Sequence, residues 1–178
     1  MKLLRTIRLD PSDTFIFEPA AEPGEWAVSG AFFFSDADVA RLSGKARSAF
    51  RSGFLGIESL GWSTLVQIVN ATDEDRDAAV KALAGKLVAH FGAPDLAAAR
   101  SAAEHEIEFA ASLCNHPADT LIAVHRIYEN GEIREAFRTL RPRGGPKPLR
   151  AFAFLEVEGE EEPVEQVDLL RLAQERRK

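Results

Sequence analysis

The chain reads as an α+β fold: a single domain with a mainly antiparallel sheet of six or seven strands. A two-helix insertion packs on one face, and a C-terminal helix follows. Three observations predict this. Strand-like runs do not alternate regularly with helical ones, which argues against a doubly wound parallel sheet. Leu121–Tyr128 and Ile133–Leu140 flank Asn130-Gly131, the preferred type I′ hairpin turn. Between them and the early strands, apolar residues recur at helical i, i+3, i+4 spacing through two capped segments. The 178 residues are 46% hydrophobic and 28% charged. A chain of this size buries enough surface to need no metal or disulfide staple. Residues 1–178 therefore form one domain, with 159–178 as a terminal acidic turn and amphipathic helix.

In chain order, Leu3 to Asp10 alternates as a strand, with Leu3, Arg5, Ile7 and Leu9 on one face. Pro11-Ser12-Asp13 is a turn, and Thr14–Glu18 reads as a short second strand. Trp26, Val28, Phe32 and Phe34 alternate through Gly30, a strong strand in which the glycine marks a bulge or a close backbone approach. Ser35-Asp36-Ala37-Asp38 caps short helical segments running to about Arg51, and Gly53-Phe54-Leu55-Gly56 breaks them. Trp62–Asn70 is β-rich on both faces, as a central strand is. Thr72 and the acids Asp73, Glu74 and Asp75 open a helix with Val80, Leu83, Ala84, Leu87, Val88 and Phe91 on its apolar stripe. Gly92 ends it, and Pro94 opens the next, which runs to about Leu113. In a two-residue Asn-Gly hairpin Tyr128 faces Ile133, Arg126 faces Glu135 and Val124 faces Phe137. Arg150–Glu158 is the last strand, and Pro163 opens an amphipathic terminal helix.

Charge and cysteine usage narrow the function classes. Twenty-eight acids against 22 bases give −6, which lacks the basic footprint of a general nucleic-acid binder. The single cysteine, Cys114, fits a reducing compartment, and a cytoplasmic location is expected. Arg5 and Arg8 interrupt the apolar start that a signal peptide needs. No run approaches the ~20 apolar residues of a membrane span. Neither a Walker-type nor a dinucleotide-binding glycine motif occurs, so no cofactor is expected.

Several stretches together resemble one family. LLRTIRLDPSDTFIFE, AAEPGEWAVSGAFFF, GKARSAFRSGFLGIESLGWSTLV, ASLCNHP and EAFRTL are similar to a small uncharacterised bacterial family, over roughly residues 2–158. The resemblance implies a bacterial cytoplasmic protein with an accessory role, and it transfers no catalytic residue.

The helix 94–113 holds the densest chemistry. At 3.6 residues per turn Glu104, His105 and Glu108 share a face with Ser101 and Ser112. Two carboxylates and an imidazole at this spacing suit a divalent metal or a shared proton. The plainer reading is a solvated helix face. Glu106 is the anomaly, because its angle sets it beside Ala102, Phe109, Ala110 and Leu113. A carboxylate there is desolvated and its pKa rises, unless it sits at the edge and reaches water. Cys114 lies on the apolar side as a small hydrophobe, and Cys114-x-His116 is too short to be a zinc motif. Ser59 sits in a near miss of the nucleophile elbow, with the wrong glycine spacing and a strand where a helix should follow. Gly53-Phe54-Leu55-Gly56 resembles a phosphate-binding GXXG loop, but its apolar centre suits a packing turn.

A basic cluster completes the survey. His125 lies opposite Ala136, with Arg134 and Arg138 as diagonal neighbours and Arg141 and Arg143 beyond. This set suits an anionic ligand or an acidic partner surface, against the plainer reading of a sheet face neutralised by Glu156, Glu158 and Glu160–Glu162. The first expectation for function is a non-catalytic accessory or protein-binding factor, with homo-oligomerisation compatible and neither nucleic acid nor membrane as a partner. The second is an enzyme using Glu104, His105, Glu106 and Glu108, with or without a divalent metal. The third is a binder of an anionic small molecule.

Overall fold

The computed structural model describes residues 1–141 and 156–158. Among them are eight strands: β1 (Lys2–Ile7), β2 (Trp26–Val28), β3 (Phe54–Gly56), β4 (Trp62–Ser63), β5 (Leu65–Asn70), β6 (Leu121–Glu129), β7 (Glu132–Arg141) and β8 (Glu156–Glu158). They form one sheet in the order β4-β3-β2-β1-β5-β6-β7-β8, every neighbouring pair given a register being antiparallel. Helices α1 (Ser12–Ile16), α2 (Gly44–Ser52), α3 (Asp73–His90) and α4 (Leu96–Ser112) complete the described fold, with 3-10 turns at Ala31–Phe34 and Val39–Arg41. The expected antiparallel α+β architecture stands.

The central hairpin forms in the register that the Asn-Gly turn dictates. Val124 pairs with Phe137, Arg126 with Glu135 and Tyr128 with Ile133. Asn130 and Gly131 both take positive φ, 54° and 82°, as a type I′ turn requires. Registers between β1, β5, β6 and β7 then sort the side chains into two faces. Leu4, Val66, Ile68, Ile122 and Val124 are buried on one. Ile7, Leu65, Ala123, His125 and Ile127 lie on the other.

The two long helices follow their signals closely. Thr72 and Asp75 form a reciprocal capping box, Thr72 Oγ1 accepting the Asp75 N–H at 3.1 Å and Asp75 Oδ2 accepting the Thr72 N–H at 3.0 Å. Val80, Leu83, Ala84 and Leu87 are buried, whereas Val88 at the stripe's edge is exposed. Gly92 takes φ 69° after the helix ends. Asp95, rather than Pro94, caps α4, its Oδ1 accepting the Ala98 N–H at 2.8 Å. Ala99, Ala103, Ile107, Ala110 and Cys114 bury the expected face of α4, which lies against β1 and β2.

Four expectations change. Thr14–Glu18 is not a strand. Asp10 Oδ1 accepts the Ser12 N–H at 2.8 Å, and Pro11 opens the single-turn helix α1 instead. Asp13 then turns inward to accept from Thr64 Oγ1 at 2.6 Å and from Ser63 Oγ at 3.3 Å. That contact sits where the run Trp62–Asn70 divides into β4 and β5. The strand at Trp26 ends at Val28, because Gly30 adopts φ 82° and starts a 3-10 turn through Phe34. Close approach at Gly30 is nonetheless real: a Cβ there would lie 2.7 Å from Leu55 Cβ and 3.0 Å from the Trp62 ring. No side chain in Ser35–Asp38 caps a helix, and α2 begins at Gly44 after Ser43. Residues 150–155 of the expected last strand and the terminal helix from Pro163 lie outside the described residues.

Two glycines separate backbone need from helix propensity. Gly30→Ala should lower stability by about 2–4 kcal/mol, from strain at positive φ and the Leu55 clash. Gly85→Ala meets nothing within 4 Å on the exposed face of α3 and should raise stability by about 0.5–1 kcal/mol. Urea unfolding of both variants checks the opposite signs.

Candidate functional site

The largest fully buried side chain in the described structure is an arginine. Arg126 lies on the inner face of β6, between Val124 and Tyr128 in sequence, and its side chain has no solvent exposure. Its Nε, Nη1 and Nη2 all have acceptors. Nε donates to Glu135 Oε1 at 2.6 Å across the hairpin. Nη1 donates to the carbonyls of Phe50 at 3.1 Å and Gly53 at 2.7 Å. Nη2 donates to the Ser29 carbonyl and, at 3.4 Å, to Ser29 Oγ. Ser29 Oγ in turn donates to Glu135 Oε1. Five donors in a rigid fork thus tie β6 to β7, to the end of β2 and to the C-terminal end of α2. Burial pushes the guanidinium pKa down and Glu135 opposes that shift.

Glu106 meets this cluster from α4. The Phe109 and Phe137 rings lie 5.8 Å apart, which sets α4 against the β7 face that carries Glu135. Glu106 is half-buried. Burial, aided by the negative charge of Glu135, raises its pKa from 4.5 to about 6, with Arg126 and His105 pulling the other way. The helix-wheel anomaly is therefore real: Glu106 is neither sealed in the core nor free in water. Its neighbours are not gathered with it. His105 is exposed, Glu104 pairs with Arg100 along the helix at 3.1 Å, and Glu108 pairs with Arg76 of α3 at 3.6 Å. Among the described residues no group of three His, Cys, Asp or Glu side chains converges to hold a metal ion.

The other sequence candidates settle individually. Cys114 is buried, its Sγ donating to the Ala110 carbonyl at 3.4 Å, and burial pushes its thiol up to about 11 with Lys2 opposing. Burial and a raised thiol pKa fit the reading of Cys114 as a small hydrophobe. Ser59 Oγ accepts the Gly61 N–H at 3.0 Å within a turn. That turn is held by a residue the sequence did not single out. The buried Glu25 carboxylate accepts N–H bonds from Glu22 at 2.7 Å and from Glu58 and Ser59 at 2.9 Å each. Gly53 precedes β3 and Gly56 ends it, both as packing positions, since a Cβ would lie 2.7 Å from the Trp62 ring at Gly53 and 2.7 Å from the Glu25 carboxylate at Gly56.

On the other face of the hairpin, His125 sits opposite Ala136, with Arg134 and Arg138 on either side, all exposed. Arg134 pairs with Glu129 at 3.2 Å, both well exposed. Arg138 and His125 make no ion pair among the described residues. The β8 register sets Glu156 opposite Arg141 and Glu158 opposite Thr139, not opposite Arg134 or Arg138. Arg143 lies outside the described residues.

Residues 1–157 match a family model described as a family of unknown function, DUF6505. The chain belongs to that family. No curated protein and no solved structure matches it. Membership in DUF6505 agrees with the resemblance noted in the sequence and adds no assigned chemistry. Among the described residues, no helix is long and apolar enough to cross a membrane.

The raised pKa of Glu106 fixes the sign of a pH effect. The folded state holds the Glu106 proton more tightly than the unfolded chain, so the contribution of this one group is fully present below pH ~4.5 and is lost as pH rises through about 6. With partial exposure discounted, the loss is at most about 1–2 kcal/mol. Glu106→Gln should therefore be more stable than the parent at pH 7.5 and match it near pH 4.5, by urea unfolding at both values. Glu135→Gln removes the like charge, so the Glu106 carboxyl should titrate lower by carbon-detected NMR.

Proposed function

We propose that this DUF6505 protein is a non-catalytic, cytoplasmic accessory factor of bacteria that binds an acidic protein partner through the outer face of the β6–β7 hairpin. What supports this is a division of labour among its arginines. Arg126 spends its donors inside the fold. Arg138 and His125, without an ion pair among the described residues, present cationic or donor groups outward beside exposed Ile127 and Ala136. Across the sheet from Arg138 runs a row of Ala123, Leu65 and Ile7. At its far end the exposed Leu9 and Ile16 line a 170 Å³ recess with Ile7 and Leu65, alongside Asp10 and Asp13. An apolar strip ending in a cationic patch is the complement of an amphipathic segment with acidic residues. The carboxylates of the Glu104–Glu108 segment pair locally or face the buried arginine, which suits a structural role for them better than a catalytic one.

A photo-crosslinking amino acid at position 136, in the middle of the patch, tests this in native cells. An adduct with another polypeptide is expected at 136 and not at the exposed Ala89 on α3. Arg134→Glu with Arg138→Glu should abolish it. No adduct at 136, or one that survives the charge reversal, contradicts the proposal.

A further inference from the structure

A second recess has the opposite chemistry. The 3-10 turn Ala31–Phe34 and the junction of α3 with α4 enclose a cavity of about 500 Å³, within the size range of small-molecule sites. Its aromatic wall is layered. Phe33 meets Phe91 edge-on at 5.4 Å and Trp62 at 5.1 Å, and Phe32 meets Phe91 edge-on at 5.3 Å. Despite its ring contacts Phe33 keeps 40% of its surface open. The turn that presents these rings is fixed by the left-handed Gly30 and its close approach to Leu55 and Trp62, so the wall is preformed.

The fixed charge around it is mostly of one sign. Asp36 is the one carboxylate on the rim among the described residues, neither lysine nor arginine lines the recess there, and His90 is its one basic side chain. The last turn of α3, from Leu87 to His90, borders it and brings the partial negative charge of a helix C-terminus. The facing helix α4 offers little positive compensation, because its own Asp95 already caps the first turn. The faces of Phe rings carry negative potential as well. A carboxylate, a helix C-terminus and three phenyl rings around one recess select a cation with an apolar body over an anion or a neutral molecule. This chain already places a cation over a ring elsewhere, with the Arg5 guanidinium 3.8 Å from the Trp26 centroid.

We infer that the recess between Phe33, Phe91 and Asp36 is a binding site for a small organic ammonium ion. It does not depend on the partner surface of the hairpin. Phe32, Phe33 and Phe91 supply the aromatic lining, and Asp36 supplies the counter-charge at the rim.

Choline and its uncharged carbon isostere, 3,3-dimethylbutan-1-ol, differ in charge at nearly constant shape and are the probes. Titrated into the full chain, choline should give saturable amide NMR shifts centred on residues 32–36 and 90–93. The isostere should bind at least about tenfold more weakly. Asp36→Asn should weaken choline about fivefold and Phe33→Leu about tenfold, with the spectrum away from the recess and the Trp62 cluster unchanged. Equal binding of the isostere, shifts scattered away from the recess, or choline binding unaffected by either variant would overturn the assignment.

Discussion

The buried guanidinium of Arg126 is the constraint on which the arrangement of this fold rests. The hairpin, the end of strand β2 and the junction of α2 with β3 are distant in sequence. Arg126 joins all of them through acceptors on Glu135, Ser29, Phe50 and Gly53. A buried ion pair of this kind is not a large net source of stability, because desolvation offsets most of its attraction. Its effect is positional. Carbonyls at the end of α2 and at the end of β2 meet the fork of Arg126 in one arrangement of the chain, so closure is directed. Once those ends are placed, Gly30 and Gly53 bring the backbone against Leu55 and Trp62. The aromatic cluster of Phe33, Phe34, Phe50 and Trp62 then forms around them.

Much of this was legible in the residues, and the misses have physical causes. Asn130-Gly131 set the hairpin register, because two positive-φ positions in a row leave one turn type. The N-cap at Thr72 with its first-turn acids, and the buried alanines of α4, followed from local side-chain chemistry and helical periodicity. The register even placed Arg126 opposite Glu135 on the face with Val124 and Phe137, which is the inward face. What pairing alone does not reveal is that this arginine reaches three backbone carbonyls from segments 73 to 97 residues away. Thr14–Glu18 departs from the strand that Phe-Ile-Phe composition suggests, because Asp10 accepts the Ser12 N–H in a local turn and Asp13 bonds inward to Thr64. Glu25 left no periodic signal, since its three N–H donors come from a tight turn and from a loop more than thirty residues on.

The two faces of the hairpin show how one sequence segment serves two ends. Alternate residues of β6 and β7 point inward to Arg126, Glu135 and Phe137, where charge is fully matched. The intervening residues carry His125, Arg134 and Arg138 outward, where charge is only partly matched. Glu106 stands at the border of the first set, with a proton affinity raised by burial and then by the like charge of Glu135. Membership of DUF6505 spans this whole arrangement, from β1 to the pairing of β7 with β8.

Native-state hydrogen exchange on Arg126→Met tests the central role of this guanidinium most directly. Methionine fills the space but leaves the Ser29, Phe50 and Gly53 carbonyls and Glu135 without their donor. If Arg126 organises the fold, exchange quickens mainly at residues 29–34 and 50–56, with global stability lower by about 3–5 kcal/mol. Unchanged protection in those two segments, or a stability loss below about 1 kcal/mol, would contradict it.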